Sequence, residues 1–158
     1  MEFDVKMTTS ALYDYNMRHT YSSASGLIGT TVGALLLIGF SLDTRYIVML
    51  VAGLVIILYN PVVLFVRSRK QILLNPAFKK PLHYRLDDDG VTVSNGEEEM
   101  TVEWENMYKA YSTNQSIVLA TGKMNAWIFP KKDLGTAKDE LIRMISTHMP
   151  PEKVKIKQ

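Results

Sequence analysis

Two long stretches of the chain carry no charged side chain, Thr20 to Leu42 and Tyr46 to Val66. The second has 21 residues, about 31 Å as a helix, which matches the hydrocarbon thickness of a bilayer. The first has its apolar centre in GLIGTTVGALLLIGFSL. Both predict membrane spans, at 24–42 and 46–66. A buried helix of a soluble domain has the same composition, but two such runs in 158 residues argue against that origin. Upstream, EFDVKM alternates Phe3, Val5 and Met7 against Glu2, Asp4 and Lys6, the period of a half-buried strand. Thr8, Thr9 and Ser10 offer N-caps for a helix holding Leu12, Tyr13, Tyr15, Asn16 and Met17. That helix leads into the membrane, with Tyr13, Tyr15 and Tyr21 at the interface.

Past Asn75-Pro76 the pattern changes to short alternating runs: LHYRLD, VTVS, MTVEW, YKAYST, SIVLAT and NAWIF. The breaks between them, among them DDG, NGEEE, NQ and GKM, are polar and turn-forming, as in an antiparallel meander. The period then shifts to three and four through Leu134, Ala137, Leu141, Met144, Ile145 and His148, one stripe of an amphipathic helix. Thr136 and Asp139 resemble a capping box, and Pro150-Pro151 ends the helix. A lone N-terminal strand is unstable, and the only sheet it can join lies in this second half. The expected fold is α+β: a two-helix transmembrane hairpin plus an antiparallel β meander closed by a C-terminal helix, with the N-terminal strand joining the sheet. The expected divisions are 1–23 (strand and juxtamembrane helix), 24–66 (hairpin), 67–81 (basic linker), 82–149 (domain) and 150–158 (tail).

Charge orients this arrangement. Only Asp43-Thr44-Arg45 separates the spans, so they must run antiparallel, and that link is neutral. Arg67, Arg69, Lys70, Lys79 and Lys80 follow the second span closely. The positive-inside rule then puts both termini in the cytoplasm. The first residues lack a basic n-region and a cleavage site, so the first span is expected to stay in the protein. Net charge is only +2, too mild for a nucleic-acid partner. There is no cysteine, which removes disulfides, thiolate metal sites and cysteine nucleophiles.

Candidate chemistry is sparse. DDDG (87–90) lacks the alternate acids and distant glutamate of a calcium loop and reads as a hairpin turn. His19, His83 and His148 have no metal-ligand spacing. No Gly-rich phosphate loop or nucleophile elbow occurs, so neither an enzyme, a cofactor nor a metal is expected. Trp104 and Trp127 are expected in the core. Ser25, Gly29 and Gly33 recur every four residues on the first span, where small side chains let helices approach. Packing against the second span at Ala52 or Gly53 is favoured over homodimerisation. Asn60-Pro61 predicts a kink, with Asn60 able to bond across to the first span. Arg67, Arg69, Lys70, Lys79, Lys80, Lys123, Lys131 and Lys132 make a candidate lipid-contact surface, each worth about 1 kcal/mol near an anionic leaflet. The tail residues Lys153, Lys155 and Lys157 either add to it or are disordered, the second being favoured.

The pattern DDGVTV…MTVEWENMYKAY…SIVLAT…NAWIFPKKDL…ELIRMI resembles the C-terminal domain of the YcxB-like family of bacterial membrane proteins. The acidic hairpin with Gly90, Trp104 at the end of a strand, Ile128-Phe129-Pro130-Lys131-Lys132 and the final helix carry the likeness, as does the order of segment, two spans and domain. The resemblance implies a domain akin to bacterial pleckstrin-homology folds, or a barrel of that kind, in the bacterial cytoplasmic membrane. It brings no catalytic residues. The function expected is that of a membrane-anchored binding or scaffold protein, with lipids and a protein partner or second copy as its contacts. The alternatives are protection against a membrane-active peptide and an accessory role in a transporter.

Overall fold

A computed structural model describes residues 1–123 and 125–156. Its α-helices and strands run β1 (Glu2–Val5), α1 (Thr9–Tyr21), α2 (Ala24–Leu42), α3 (Ile47–Leu74), β2 (Leu82–Leu86), β3 (Gly90–Ser94), β4 (Glu99–Glu103), β5 (Lys109–Ser112), β6 (Ser116–Ala120), β7 (Ala126–Pro130), α4 (Lys131–Leu134), α5 (Ala137–His148) and β8 (Val154–Lys155).

Helices α2 and α3 are each long and apolar enough to cross a membrane. They pack against each other and leave most of their large side chains exposed, among them Leu27, Leu35, Val48, Val55 and Leu58. Hydroxyls within α2 are satisfied by the helix itself: Thr30 and Thr31 donate to the carbonyls of Gly26 and Leu27, both at 2.9 Å. The connecting turn is held by Arg45, whose Nη2 lies 2.9 Å from Asp43 Oδ2. That guanidinium keeps the Asp43 carboxyl below its ordinary pKa. At 28 residues, α3 is about 42 Å long, roughly 12 Å more than a hydrocarbon core requires. A linker was expected from residue 67, but nothing between Arg67 and Leu74 breaks a helix. The side chain of Asn75 then caps the next turn by accepting from Ala77 N, and Pro76 starts it.

The strands form two separate four-stranded sheets, in the orders β1-β2-β3-β4 and β7-β6-β5-β8. All pairings are antiparallel except β5 with β8. The barrel expected from the resemblance is therefore not closed. Between β4 and β5 the chain makes a helical turn at Trp104–Asn106, which interrupts the ladder where a meander would have continued it. The N-terminal strand pairs with β2, from Glu2 opposite Arg85 to Val5 opposite Leu82.

The two sheets and α5 share one core. Val5, Tyr84, Leu86 and Val91 come from the first sheet, Ala110, Ile117, Leu119 and Phe129 from the second, and Leu141 and Ile145 from α5. Tyr84, Phe129 and Phe3 meet in it, with Tyr84 edge-on to Phe129 at 4.9 Å and Phe3 edge-on to it at 5.6 Å. Trp104 is buried, donates from Nε1 to the Asp87 carbonyl at 2.9 Å, and stacks on His148 at 5.2 Å. Trp127 is half-buried, edge-on to Tyr84.

Strand β6 is buried at all five positions, because its second face is covered by α1. Met7, Ala11, Leu12 and Ile128 form this smaller core, joined by Ile72 of α3 and Phe78. A strand covered on both faces loses its alternation, as SIVLA does.

The closing helix is built differently from the sequence expectation. Gly135 takes φ +50°, which separates the short α4 from α5. Thr136 is already in helical conformation and makes no side-chain cap, so the capping box does not form. The tail is ordered as far as Ile156, since Val154 and Lys155 pair with Ala110 and Tyr111. Lys157 lies outside the described residues.

Candidate functional site: a basic cleft at the end of α1

Helix α1 is the element that joins the hairpin to the sheets. Thr8 caps it by accepting from Ala11 N. On one side Asn16 Nδ2 donates to the buried hydroxyl of Ser68 at 3.0 Å, and Tyr13 meets Phe65 edge-on at 5.7 Å. On the other side α1 covers β6 and β7. It turns into α2 across Ser22 and Ser23, and Gly26 makes that corner possible. A Cβ there would collide with the Thr20 carbonyl.

The last turn of α1 carries Arg18 and His19, cations or potential cations at the end of the helix where the backbone dipole favours them. Facing them are Lys109 and Tyr111 of β5, Tyr108 just before it, and Glu152, Lys153 and Lys155 of the paired tail. The cleft between them has a volume of about 420 Å³. Arg18, Lys109, Lys153 and Lys155 are four cations against the single carboxylate of Glu152.

Aromatic rings hold two of these charges in place. The Arg18 guanidinium lies 5.5 Å from the centre of the Tyr111 ring, and Lys109 Nζ lies 5.2 Å from the same ring and 5.6 Å from Tyr108. Each such contact is worth about 0.5–1 kcal/mol at an exposed site. Lys153 Nζ donates to the Met107 carbonyl at 3.1 Å. Among the described residues, none of the four enters an ion pair. Burial pushes the Tyr111 phenol up to about 12, Tyr15 adds to this and Arg18 opposes it, so at neutral pH Tyr111 contributes no negative charge. A concave surface where charges of one sign outnumber those of the other concentrates counter-ions opposite to the excess. This cleft is suited to holding an anion.

Of the basic residues singled out from sequence, the tail lysines Lys153 and Lys155 line the cleft, while the eight of the candidate lipid surface lie elsewhere. Arg67, Arg69 and Lys70 are exposed on the extension of α3. Lys79 and Lys80 are exposed beyond Phe78, with Lys80 Nζ 3.6 Å from Glu97. Lys123 is exposed between β6 and β7, and Lys132 on α4. Lys131 is half-buried, and its Nζ donates to the carbonyls of Thr113 at 2.7 Å and Asn114 at 3.4 Å. That ammonium ties down the β5–β6 turn. None of the eight lines the cleft.

On the hairpin, Gly33 and Gly53 face each other. A Cβ on Gly33 would come within 3.2 Å of the Gly53 carbonyl, and one on Gly53 within 3.0 Å of the Gly33 carbonyl. Gly29 lies beside Asn60, and Ser25 is exposed, bonded to Ser23.

The cleft left one local trace in the sequence, the run Tyr108-Lys109-Ala110-Tyr111 with a lysine among aromatics. Of its other half, only Lys153 and Lys155 were singled out, as a possible addition to a basic surface, and not their meeting with Lys109 and Arg18. The parallel pairing of β5 with β8 joins residues far apart in the chain, and Arg18 arrives from the opposite side of the hairpin.

The family described as YcxB-like protein matches residues 86–145. No curated protein and no solved structure is significantly similar to the chain. The match runs from Leu86, the last residue of β2, to Ile145 in α5, and leaves out β1, the rest of β2 and β8.

Proposed function

We propose that this protein is a multi-pass protein of the bacterial cytoplasmic membrane that holds its YcxB-like domain against the cytoplasmic face and works there by binding rather than by catalysis. The observation carrying this reading is the double packing of α1, on α3 through Ser68 and Phe65 and on the outer face of β6 and β7. A domain displayed on a free tether would have no such bracket. Bracketed, it keeps one side at the bilayer surface. The basic extension of α3, with Arg67, Arg69 and Lys70 just beyond the uncharged run, supports the cytoplasmic orientation. Two antiparallel sheets around one core with a C-terminal helix support kinship with pleckstrin-homology domains.

The absence of cysteine makes orientation directly measurable. Thr44→Cys and Asp88→Cys place single thiols in the hairpin turn and on the domain surface. In intact cells a membrane-impermeant maleimide should label the first and reach the second only after permeabilisation. Labelling of Asp88→Cys in intact cells would refute the orientation, and loss of the protein to the soluble fraction on alkaline washing would refute membrane insertion.

A further inference from the structure

We propose that the cleft between the end of α1, β5 and β8 is a binding site for a phosphomonoester dianion, presented by an anionic lipid headgroup at the adjoining bilayer surface. The inference rests on the membrane reading above for its lipid source, but not for the site itself.

Three observations converge on it. The first is charge: Arg18, Lys109, Lys153 and Lys155 surround the opening with one carboxylate among them, and none of the four is ion-paired among the described residues. Like charges so close repel one another, and a bound dianion reverses the sign of that energy. A phosphomonoester carries nearly two charges at neutral pH and three acceptor oxygens, more than a carboxylate or a phosphodiester offers. Its geometry suits a guanidinium fork beside flexible ammonium groups.

The second is placement. Arg18 and Lys109 lie over the same Tyr111 ring from two different elements, so the fold holds their charges together before any ligand arrives. Lys153 is anchored on the Met107 carbonyl. Arg18 and Lys109 are exposed, but their contacts with the ring lower the ordering cost that untethered surface side chains incur on binding.

The third is position. Arg18 and Ser22 line the cleft, and α2 begins at Ala24. The site therefore opens beside the corner where the chain enters its first span. Tyr108, 46% exposed at the rim, offers an aromatic surface to the apolar part of a lipid at the interface. A volume of about 420 Å³ accommodates a headgroup.

The experiment uses the full chain in a neutral detergent, titrated with short-chain phosphatidic acid, short-chain phosphatidylglycerol and inorganic phosphate, with heat of binding as the readout. Phosphatidic acid should bind saturably at one site and at least tenfold more tightly than the phosphodiester phosphatidylglycerol. Lys109→Gln and Arg18→Gln should each weaken it at least tenfold while the protein still melts cooperatively, only slightly below the wild type. Lys79→Gln with Lys132→Gln, outside the cleft, should change nothing. Phosphatidic acid binding tighter than inorganic phosphate identifies the lipid as the source. Equal affinities identify a soluble phosphoester and overturn the lipid assignment while retaining the dianion site. The site itself is overturned if no phosphate compound binds saturably, if phosphatidylglycerol binds as well as phosphatidic acid, or if the outer lysines matter as much as Lys109. These titrations need no membrane, so a failed orientation experiment and a failed binding experiment remain distinguishable.

Discussion

Single residues set how closely the parts of this molecule approach. At Gly33 a Cβ would lie 2.6 Å from Ile57 Cγ1, a distance at which something must move. Gly33→Val should therefore push α2 from α3 and cost about 1–3 kcal/mol, the range for overpacking. The same change at exposed Ser25 should cost little, and unfolding of both variants in mixed micelles checks the contrast. Ionisable residues make a second prediction. A tyrosine ordinarily ionises at 10, whereas Tyr111 holds its proton to about 12 and burial raises Tyr84 as well. Between those values the unfolded chain releases protons that the folded chain keeps, so unfolding gains. Stability should be unaffected by these groups below about pH 10, fall from there, and lose its Tyr111 contribution by about pH 12. Melting temperature against pH should show that fall, and Tyr111→Phe should flatten part of it.

Among the elements, the turn between β5 and β6 shows how a surface charge becomes structural. Lys131 lies at the start of α4, yet its ammonium reaches back to the carbonyls of Thr113 and Asn114. A hydrogen bond from a charged group is worth about 1.5–3 kcal/mol, less here for partial exposure. Lys131→Met should lower stability by about 1 kcal/mol, while Lys132→Met should leave it within about 0.5 kcal/mol, both read from denaturant midpoints. In sequence the two lysines are indistinguishable neighbours on a polar turn. Their difference arises from β7 ending beside the β5–β6 turn, which is a tertiary fact. The same division runs through the other elements. The six strands of the second half were legible chiefly from the turn-forming breaks between them, which mark even fully buried β6, and the α5 stripe because its buried and exposed faces keep the period in the residues. The extension of α3 to Leu74 and the pairing of β8 were not. Basic residues beyond the uncharged run carry no mark of helix or linker, and a two-residue strand has no period. Of the basic cleft, the run Tyr108–Tyr111 and the tail lysines Lys153 and Lys155 stood in the sequence, but their meeting with Arg18 arises only through packing.

At the scale of the whole molecule, the hairpin interrupts a single folded unit. Residues before α2 and after α3 build the two sheets together: β1 is the edge of the first sheet, and Met1 exchanges main-chain bonds with Leu86 at 2.7 and 2.8 Å. Val5 is buried in the main core, and Met7, Ala11 and Leu12 cover Ile128. Each large apolar side chain buried contributes about 1.5–3 kcal/mol, so Val5, Met7 and Leu12 together rival the 5–15 kcal/mol by which a domain exceeds its unfolded state. A fragment of residues 67–158 should therefore lack a cooperative thermal transition. Joining residues 1–22 to residues 67–158 through a short glycine-serine linker should restore one, because α1 already packs on the extension of α3 and the linker spans a short gap. Circular dichroism melts of both chains test this directly. A cooperative melt of the 67–158 fragment at the temperature of the bridged chain would show that the N-terminal segment only decorates the domain. Its loss there and return in the bridged chain would show that the domain is completed by the residues preceding α2. In that case the hairpin and the sheets cannot fold independently, since β1 and β2 must meet across the hairpin that separates them in the chain.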